Sequence, residues 1–170
     1  KRAVGTDSSQ LSSLTYEGYG PYGVAIIVTC LTDNRNRTAS DVRHAFSKFG
    51  GNLGTDGSVS YLFRYAGLIT VQSEHDLDTM TEKVLDAGGD DLSALEGQTY
   101  LIETAKDQFM PCCLALKESG IDISESELGW VANDLNPISE DQQETVIKLI
   151  DALESLDDVE SVYTNAQFTD

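Results

Sequence analysis

A nearly apolar segment, residues 23–31 (GVAIIVTCL), most constrains what this chain can fold into. Its nine residues suit a β-strand that is buried on both faces of a sheet. A membrane-spanning helix needs about 18 apolar residues or more, and no segment of the sequence approaches that length. We therefore expect a globular protein built around a buried sheet, with no membrane partner.

The sequence after this strand alternates between helical and strand patterns. Thr38 with Asp41 resembles a capping box and predicts the start of a helix. Apolar residues then recur at helical spacing and define its inner face: Val42, Ala45, Phe46 and Phe49. The helix is expected to end at the glycine pair 50–51, and residues 58–64 alternate like a strand.

A second group of elements follows from residue 67. The patterns predict strands at 68–72, 91–95, 99–104 and 127–132, with helices at 76–87 and 107–119. On the first of these helices, four residues are expected to face inward: Leu77, Met80, Val84 and Leu85. The order β-α-β-β-α-β is that of a ferredoxin-like unit.

The C-terminal segment completes the first group of elements. Ser139 and Gln142 form a capping box before an amphipathic helix, and residues 159–165 predict a last strand. We therefore expect an α+β protein of two ferredoxin-like α/β sandwich units, the second inserted in the first. The expected boundaries are a Ser-rich linker at 1–15, a discontinuous domain at 16–66 plus 136–168, and an inserted domain at 67–135.

The charge of the chain is strongly acidic and unevenly distributed. It has 11 basic and 29 acidic residues, a formal net charge of −18. Residues 1–65 contain seven basic and five acidic residues, whereas residues 66–170 contain four and 24. Because an acidic surface repels a phosphate backbone, any contact with nucleic acid is expected in the first third.

Five residues of that first third are the candidate nucleic-acid contacts. They cluster within 15 positions: Asn34, Arg35, Arg37, Arg43 and Lys48. Arginine binds phosphate through two parallel hydrogen bonds, and the helix N-terminus that follows Arg37 in this prediction favours anions. The alternative is structural: the asparagines hold the loop, and the arginines pair with Asp33, Asp41 or other acidic groups.

Other chemistry is poorly represented. No zinc-binding spacing, nucleophile motif or catalytic acid–base pair is recognisable, so we expect no enzyme activity, metal, cofactor or small-molecule substrate. The three cysteines suggest a reducing compartment, and Cys30 is expected to pack as a small hydrophobe. The glycine-rich residues 50–57 are interpreted as a turn rather than a phosphate loop. Tyr16, Tyr19 and Tyr22 could stack on bases or simply pack.

Four strings resemble the YebC family closely. They are residues 16–21 (YEGYGP), 31–38 (LTDNRNRT), 42–48 (VRHAFSK) and 50–59 (GGNLGTDGSV), with weaker similarity that extends through residues 149–163. The resemblance implies bacterial proteins named as probable transcriptional regulators and a mitochondrial branch named as translational activators. It also implies two interleaved α/β domains that follow a basic helical domain. Residues 1–5 resemble the end of the last helix of that helical domain. A departure is Tyr22, where many relatives have glycine.

The leading functional hypothesis is a non-enzymatic, nucleic-acid-associated regulator of transcription in the bacterial cytoplasm, with a possible polymerase contact. One alternative is a translation factor that binds ribosomal RNA or the ribosome, in bacteria or in the mitochondrial matrix. Another is an acidic module that docks a basic protein.

Overall fold

The computed structural model describes residues 11–168 and divides them into two compact units. The first unit contains the described residues up to Arg64 and those from Val131 onward, and the second contains Tyr65–Trp130. In sequence, the second unit is therefore an insertion within the first.

The described residues form ten strands and four helices. The strands are β1 (Ser12–Tyr19), β2 (Ala25–Thr32), β3 (Asn52–Leu53), β4 (Phe63–Gln72), β5 (Asp91–Ala94), β6 (Thr99–Ala105), β7 (Asp122–Ala132), β8 (Asn136–Pro137), β9 (Val159–Thr164) and β10 (Ala166–Gln167). The helices are α1 (Arg35–Lys48), α2 (Leu77–Ala87), α3 (Phe109–Glu118) and α4 (Glu140–Glu154). Short 3₁₀ turns occupy Pro21–Gly23, Ser60–Leu62 and Lys106–Gln108.

The first unit has a four-stranded sheet in the order β3-β1-β2-β9, with antiparallel neighbours. Alternate residues of β2, from Ile26 to Cys30, are buried against α1 and α4, whose largest buried side chains include Phe46 and Leu149. β8 and β10 pair separately as a short parallel ribbon. The predicted capping box of Ser139 and Gln142 is confirmed at the start of α4.

The second unit contains β4 to β7 with α2 and α3. Its sheet order, β5-β6-β4-β7, is that of a ferredoxin-like sandwich. Ile69 and Ile102 of the sheet are fully buried in one core with Met80 of α2 and Leu116 of α3. The predicted α+β class is confirmed, with two four-stranded antiparallel sheets and four helices in the described part of the chain.

Two predictions about strands are wrong. Residues 12–15, expected in a linker, belong to β1, because Leu14 packs on the core and the segment pairs with β2. The remainder of the expected linker, residues 1–10, lies outside the described residues. Residues 58–62, expected in a strand, form a turn, and β4 begins only at Phe63. The backbone N–H groups of Val59 and Ser60 in this turn donate to a buried side chain, Glu17.

Two predictions about helices also change. Helix α1 begins at Arg35 rather than after Thr38, because the side chain of Asn34 caps it. In α2, Met80 and Val84 are buried as expected, but Leu77 and Leu85 are 49% and 62% exposed. The apolar stripe of α2 is therefore narrower than its sequence suggested.

Candidate nucleic-acid interface

Asn34 positions the first turn of α1. Its Oδ1 accepts a hydrogen bond of 3.0 Å from the backbone N–H of Arg37, which satisfies one of the free donors at the helix N-terminus. Its own backbone N–H donates to Thr32 Oγ1 at 2.9 Å. Asn34 therefore has a structural role, and it places Arg35 and Arg37 inside the helix rather than in a preceding loop.

Arg37 is bound to a buried carboxylate. Its Nε and Nη2 lie 3.2 and 2.9 Å from Oδ2 of Asp158, and Nη2 lies 3.1 Å from Oδ1. Asp158 is only 5% exposed, whereas the Arg37 side chain is 38% exposed and also bonds Asp33 at 3.1 Å. The hydrogen bond to Asp158 raises the pKa of Arg37 above its ordinary value.

A buried hydroxyl pair completes this network. Thr38 Oγ1 lies 2.8 Å from Asp158 Oδ2 and 2.8 Å from Thr32 Oγ1. The backbone carbonyl of Asp158 accepts a bond from the N–H of Leu31, so the same residue joins the end of β2 to the start of β9. The Arg37–Asp158 pair thus ties three elements of the first unit together.

Arg35 and Arg43 differ from Arg37. Both are exposed, and among residues 11–168 neither makes an ion pair or a hydrogen bond with another side chain. Both charges act on the hydroxyl of Tyr16. Burial raises the pKa of Tyr16 and nearby Cys30 adds to this rise, while Arg35 and Arg43 lower it. Since eight helical residues span about 12 Å, the two guanidiniums offer two separate anion contacts along one side of α1.

Lys48 ends the helix. It is exposed, and its Nζ lies 5.5 Å from the centre of the Phe49 ring. The five predicted contacts therefore fall into two groups. Asn34 and Arg37 are engaged within the protein, whereas Arg35, Arg43 and Lys48 present their charges to solvent.

Glu17, which was not predicted from the sequence, organises the loop between β3 and β4. This residue is 8% exposed and accepts hydrogen bonds from the backbone N–H groups of Gly57, Val59 and Ser60 at 2.9, 3.0 and 2.7 Å. Burial alone would raise its pKa, but these hydrogen bonds outweigh burial and lower the pKa below its ordinary value. The available signal was that Glu17 is the one charged residue of β1.

The glycine-rich segment 50–57, expected to be a turn throughout, contains the short strand β3 (Asn52–Leu53) with turns on both sides of it. Gly50 and Gly57 have φ angles of +83° and +85°, in the left-handed region that favours glycine. At Gly51 a side chain is excluded for another reason, because a Cβ there would lie 2.5 Å from the carbonyl oxygen of Tyr19. This segment therefore packs directly against the end of β1.

The remaining described residues offer fewer chemical groups. All three cysteines are buried free thiols, Cys30 in the first core as expected, and burial raises the pKa of Cys112. Between residues 11 and 168, no group of three or more His, Cys, Asp and Glu side chains could hold a metal ion, and no helix is long and apolar enough to cross a membrane. An open pocket of about 580 Å³ in the second unit is lined by polar side chains that include Gln72, His75 and Asp122.

Comparison with known proteins identifies the family. Residues 11–166 match the family model described as the TACO1/YebC second and third domain. The chain belongs to the TACO1/YebC family. A probable transcriptional regulatory protein of Legionella pneumophila is 49% identical over 171 residues, which cover 100% of this chain and 69% of the relative.

Two further comparisons agree. A probable transcriptional regulatory protein of Pseudomonas putida is 45% identical, over 99% of this chain and 68% of the relative. The crystal structure of a conserved hypothetical protein from Aquifex aeolicus superposes with a TM-score of 0.90 at 38% identity, over 99% of this chain and 69% of that one. The family resemblance is therefore confirmed, and its curated bacterial relatives are named as probable transcriptional regulatory proteins.

Proposed function

We propose that this chain is a non-enzymatic regulator of transcription in the bacterial cytoplasm, and that Arg35 and Arg43 of α1 bind nucleic-acid phosphates. One observation carries the proposal: two exposed guanidiniums without acidic partners in the described residues lie on one helix of a strongly acidic protein. Bacterial relatives named as probable transcriptional regulatory proteins support it.

The charge distribution favours this helix over the other surfaces. Residues 18–64 contain five basic and three acidic residues, whereas Tyr65–Trp130 contains three and 14 and residues 131–170 contain one and ten. Bringing a phosphate backbone to a surface of net charge −11 is repulsive at short range, and salt screens this only beyond about 8–10 Å. Phosphate contact is therefore expected at α1, with Lys48 as a third cation.

Arg37 is not part of the proposed contact surface. Its guanidinium binds Asp158 and Asp33 through Nε and Nη2, so these donors are already engaged and the two carboxylates offset its charge. Contacts from Arg35 and Arg43 alone would fix the position of the protein on a backbone without reading base sequence. Sequence selection in transcription would then come from other contacts.

Binding to labelled nucleic acid tests the proposal. The 170-residue chain is titrated into duplex DNA and into RNA of equal length, and fluorescence anisotropy is measured at about 50 and 200 mM salt. The test variant is Arg35→Ala/Arg43→Ala. The control, Lys117→Ala/Lys148→Ala, removes the same charge from exposed lysines of α3 and α4.

We expect the arginine variant to bind DNA at least about tenfold more weakly at low salt. The slope of the logarithm of its binding constant against the logarithm of the salt concentration should decrease by the amount that corresponds to about two phosphate contacts. The lysine variant should stay within about twofold of the wild type. Equal losses in the two variants, or no binding by the wild type at low salt, would contradict the proposal. Clear preference for RNA over DNA would instead assign the chain to translation.

A further inference from the structure

Three tyrosines on two neighbouring loops of the first unit remain exposed. Tyr19 ends β1, Tyr22 lies in the turn that follows, and Tyr61 lies in the 3₁₀ turn before β4. Their exposed fractions are 37%, 51% and 68%. Exposed aromatic rings are costly in water, and on loops held by a rigid scaffold they are typical of binding surfaces.

Tyr19 and Tyr61 form a pair. Their hydroxyls are hydrogen-bonded to one another, and this bond is the main reason that the pKa of Tyr19 is raised. The pairing joins residues 42 positions apart in the sequence. Both side chains remain exposed, Tyr61 more than Tyr19.

The backbone next to Tyr61 and the backbone of Tyr19 each make a fixed contact. The Glu17 carboxylate binds the N–H groups of Val59 and Ser60, immediately before Tyr61. The Tyr19 carbonyl lies so close to Gly51 that no side chain fits between them. The Glu17 carboxylate and the close contact of Gly51 thus hold the two loops in place. Loops that are already ordered lose less conformational entropy when a ligand binds.

Tyr22 lies in the turn that follows Tyr19, and its backbone is strained. Its φ angle is +63°, in the left-handed region that costs a non-glycine residue roughly 1 kcal/mol. Its side chain is exposed, so no burial in the described structure offsets that cost. Strained residues of this kind cluster at functional sites.

We propose that Tyr19, Tyr22 and Tyr61, here called the tyrosine platform, stack on the bases of single-stranded nucleic acid. Arg35 and Arg43 of the same unit are exposed and have no acidic partner in the described residues, which favours an anionic ligand over a basic protein. Every base also has a π-face that a tyrosine ring can cover. The inference rests on the proposed function, because Arg35 and Arg43 would bind the phosphates of the same class of ligand.

The experiment separates bases from phosphates. The full chain is titrated into a labelled strand of about 12 thymidines and into an abasic strand of the same length and charge. The test variant is Tyr61→Leu, which keeps an apolar side chain but removes the ring, and Tyr61→Phe keeps the ring. Tyr65→Leu, an exposed tyrosine of the second unit, is the matched control.

We expect Tyr61→Leu to weaken binding to the thymidine strand at least about fivefold and to leave binding to the abasic strand unchanged. Tyr61→Phe and Tyr65→Leu should bind both strands like the wild type. If the wild type binds both strands equally, or if the leucine and phenylalanine variants of Tyr61 behave alike, the platform does not stack on bases and the proposal is wrong.

The phosphate contact is tested independently in the same assay. Arg35→Ala/Arg43→Ala should weaken binding to both strands, since both carry the same phosphates. If it weakens neither strand while Tyr61→Leu still weakens the thymidine strand, the arginine proposal fails and the tyrosine platform stands. If the wild type binds neither strand at low salt, both proposals are overturned.

Discussion

The two units of this chain share a two-layer α/β architecture but differ in what their surfaces present. Tyr65–Trp130 carries three basic and 14 acidic residues, almost all of them exposed. The first unit contains α1 with its exposed arginines, the two buried carboxylates Glu17 and Asp158, and the tyrosine platform. The comparison teaches that the architecture does not set the ligand, which depends on side chains placed on helices and loops.

The buried carboxylates make the two units respond differently to substitution. In the first unit, the buried carboxylates of Asp158 and Glu17 each accept several hydrogen bonds from backbone and side-chain donors. In the second unit, the carboxylate of Asp76 is exposed, and it caps α2 by accepting a hydrogen bond from the backbone N–H of Thr79. Removing a carboxylate should therefore matter far more in the first unit.

The largest effect is expected at Asp158. Asp158→Ala removes the partner of Arg37 and of the Thr38 hydroxyl, and should lower the free energy of unfolding by about 2–3 kcal/mol. Asp86→Ala, an exposed carboxylate of α2, should change it by less than about 0.5 kcal/mol. Urea unfolding followed by circular dichroism measures both, and similar values for the two variants would remove the distinction between the units.

A smaller effect, with a characteristic pH dependence, is expected at Glu17. Because hydrogen bonds lower its pKa in the folded state, its stabilisation is present above the ordinary value of 4.5 and is lost as the pH falls through the folded-state pKa. Glu17→Gln should cost about 1.5 kcal/mol at neutral pH, and its difference from the wild type should shrink in acid.

Asp76→Asn is the comparison in the second unit, since asparagine also caps helices well. It should unfold like the wild type at neutral pH. A pH-independent loss in Glu17→Gln would show that packing, rather than the charge of Glu17, holds the loop before β4.

The smallest effect compares two left-handed residues. Tyr22 in the first unit and Gln98 in the second have φ angles of +63° and +61°. Glycine at either position should raise the free energy of unfolding by about 0.5–1 kcal/mol, because glycine adopts this conformation without a steric penalty. Only Tyr22→Gly should also weaken binding to a thymidine strand, so equal binding by both variants would exclude Tyr22 from the platform.

The sequence predicts the architecture better than the chemistry. Helical and strand periodicities are local, so the six elements of the second unit were predicted in order. β1 was missed because serine and threonine obscure the alternation of Leu14 and Tyr16. The pairing of Arg37 with Asp158 was beyond sequence reasoning, because 121 residues separate two groups that meet only in the folded chain.

The most direct test of the central claim is the change in backbone amide chemical shifts when labelled protein is titrated with a thymidine strand. If nucleic acid binds the first unit, the shifts will concentrate in α1, the loop that contains Tyr22 and the turn that contains Tyr61. The amides of Tyr65–Trp130 will then stay unchanged. Shifts that concentrate within Tyr65–Trp130, with α1 unaffected, would contradict the account.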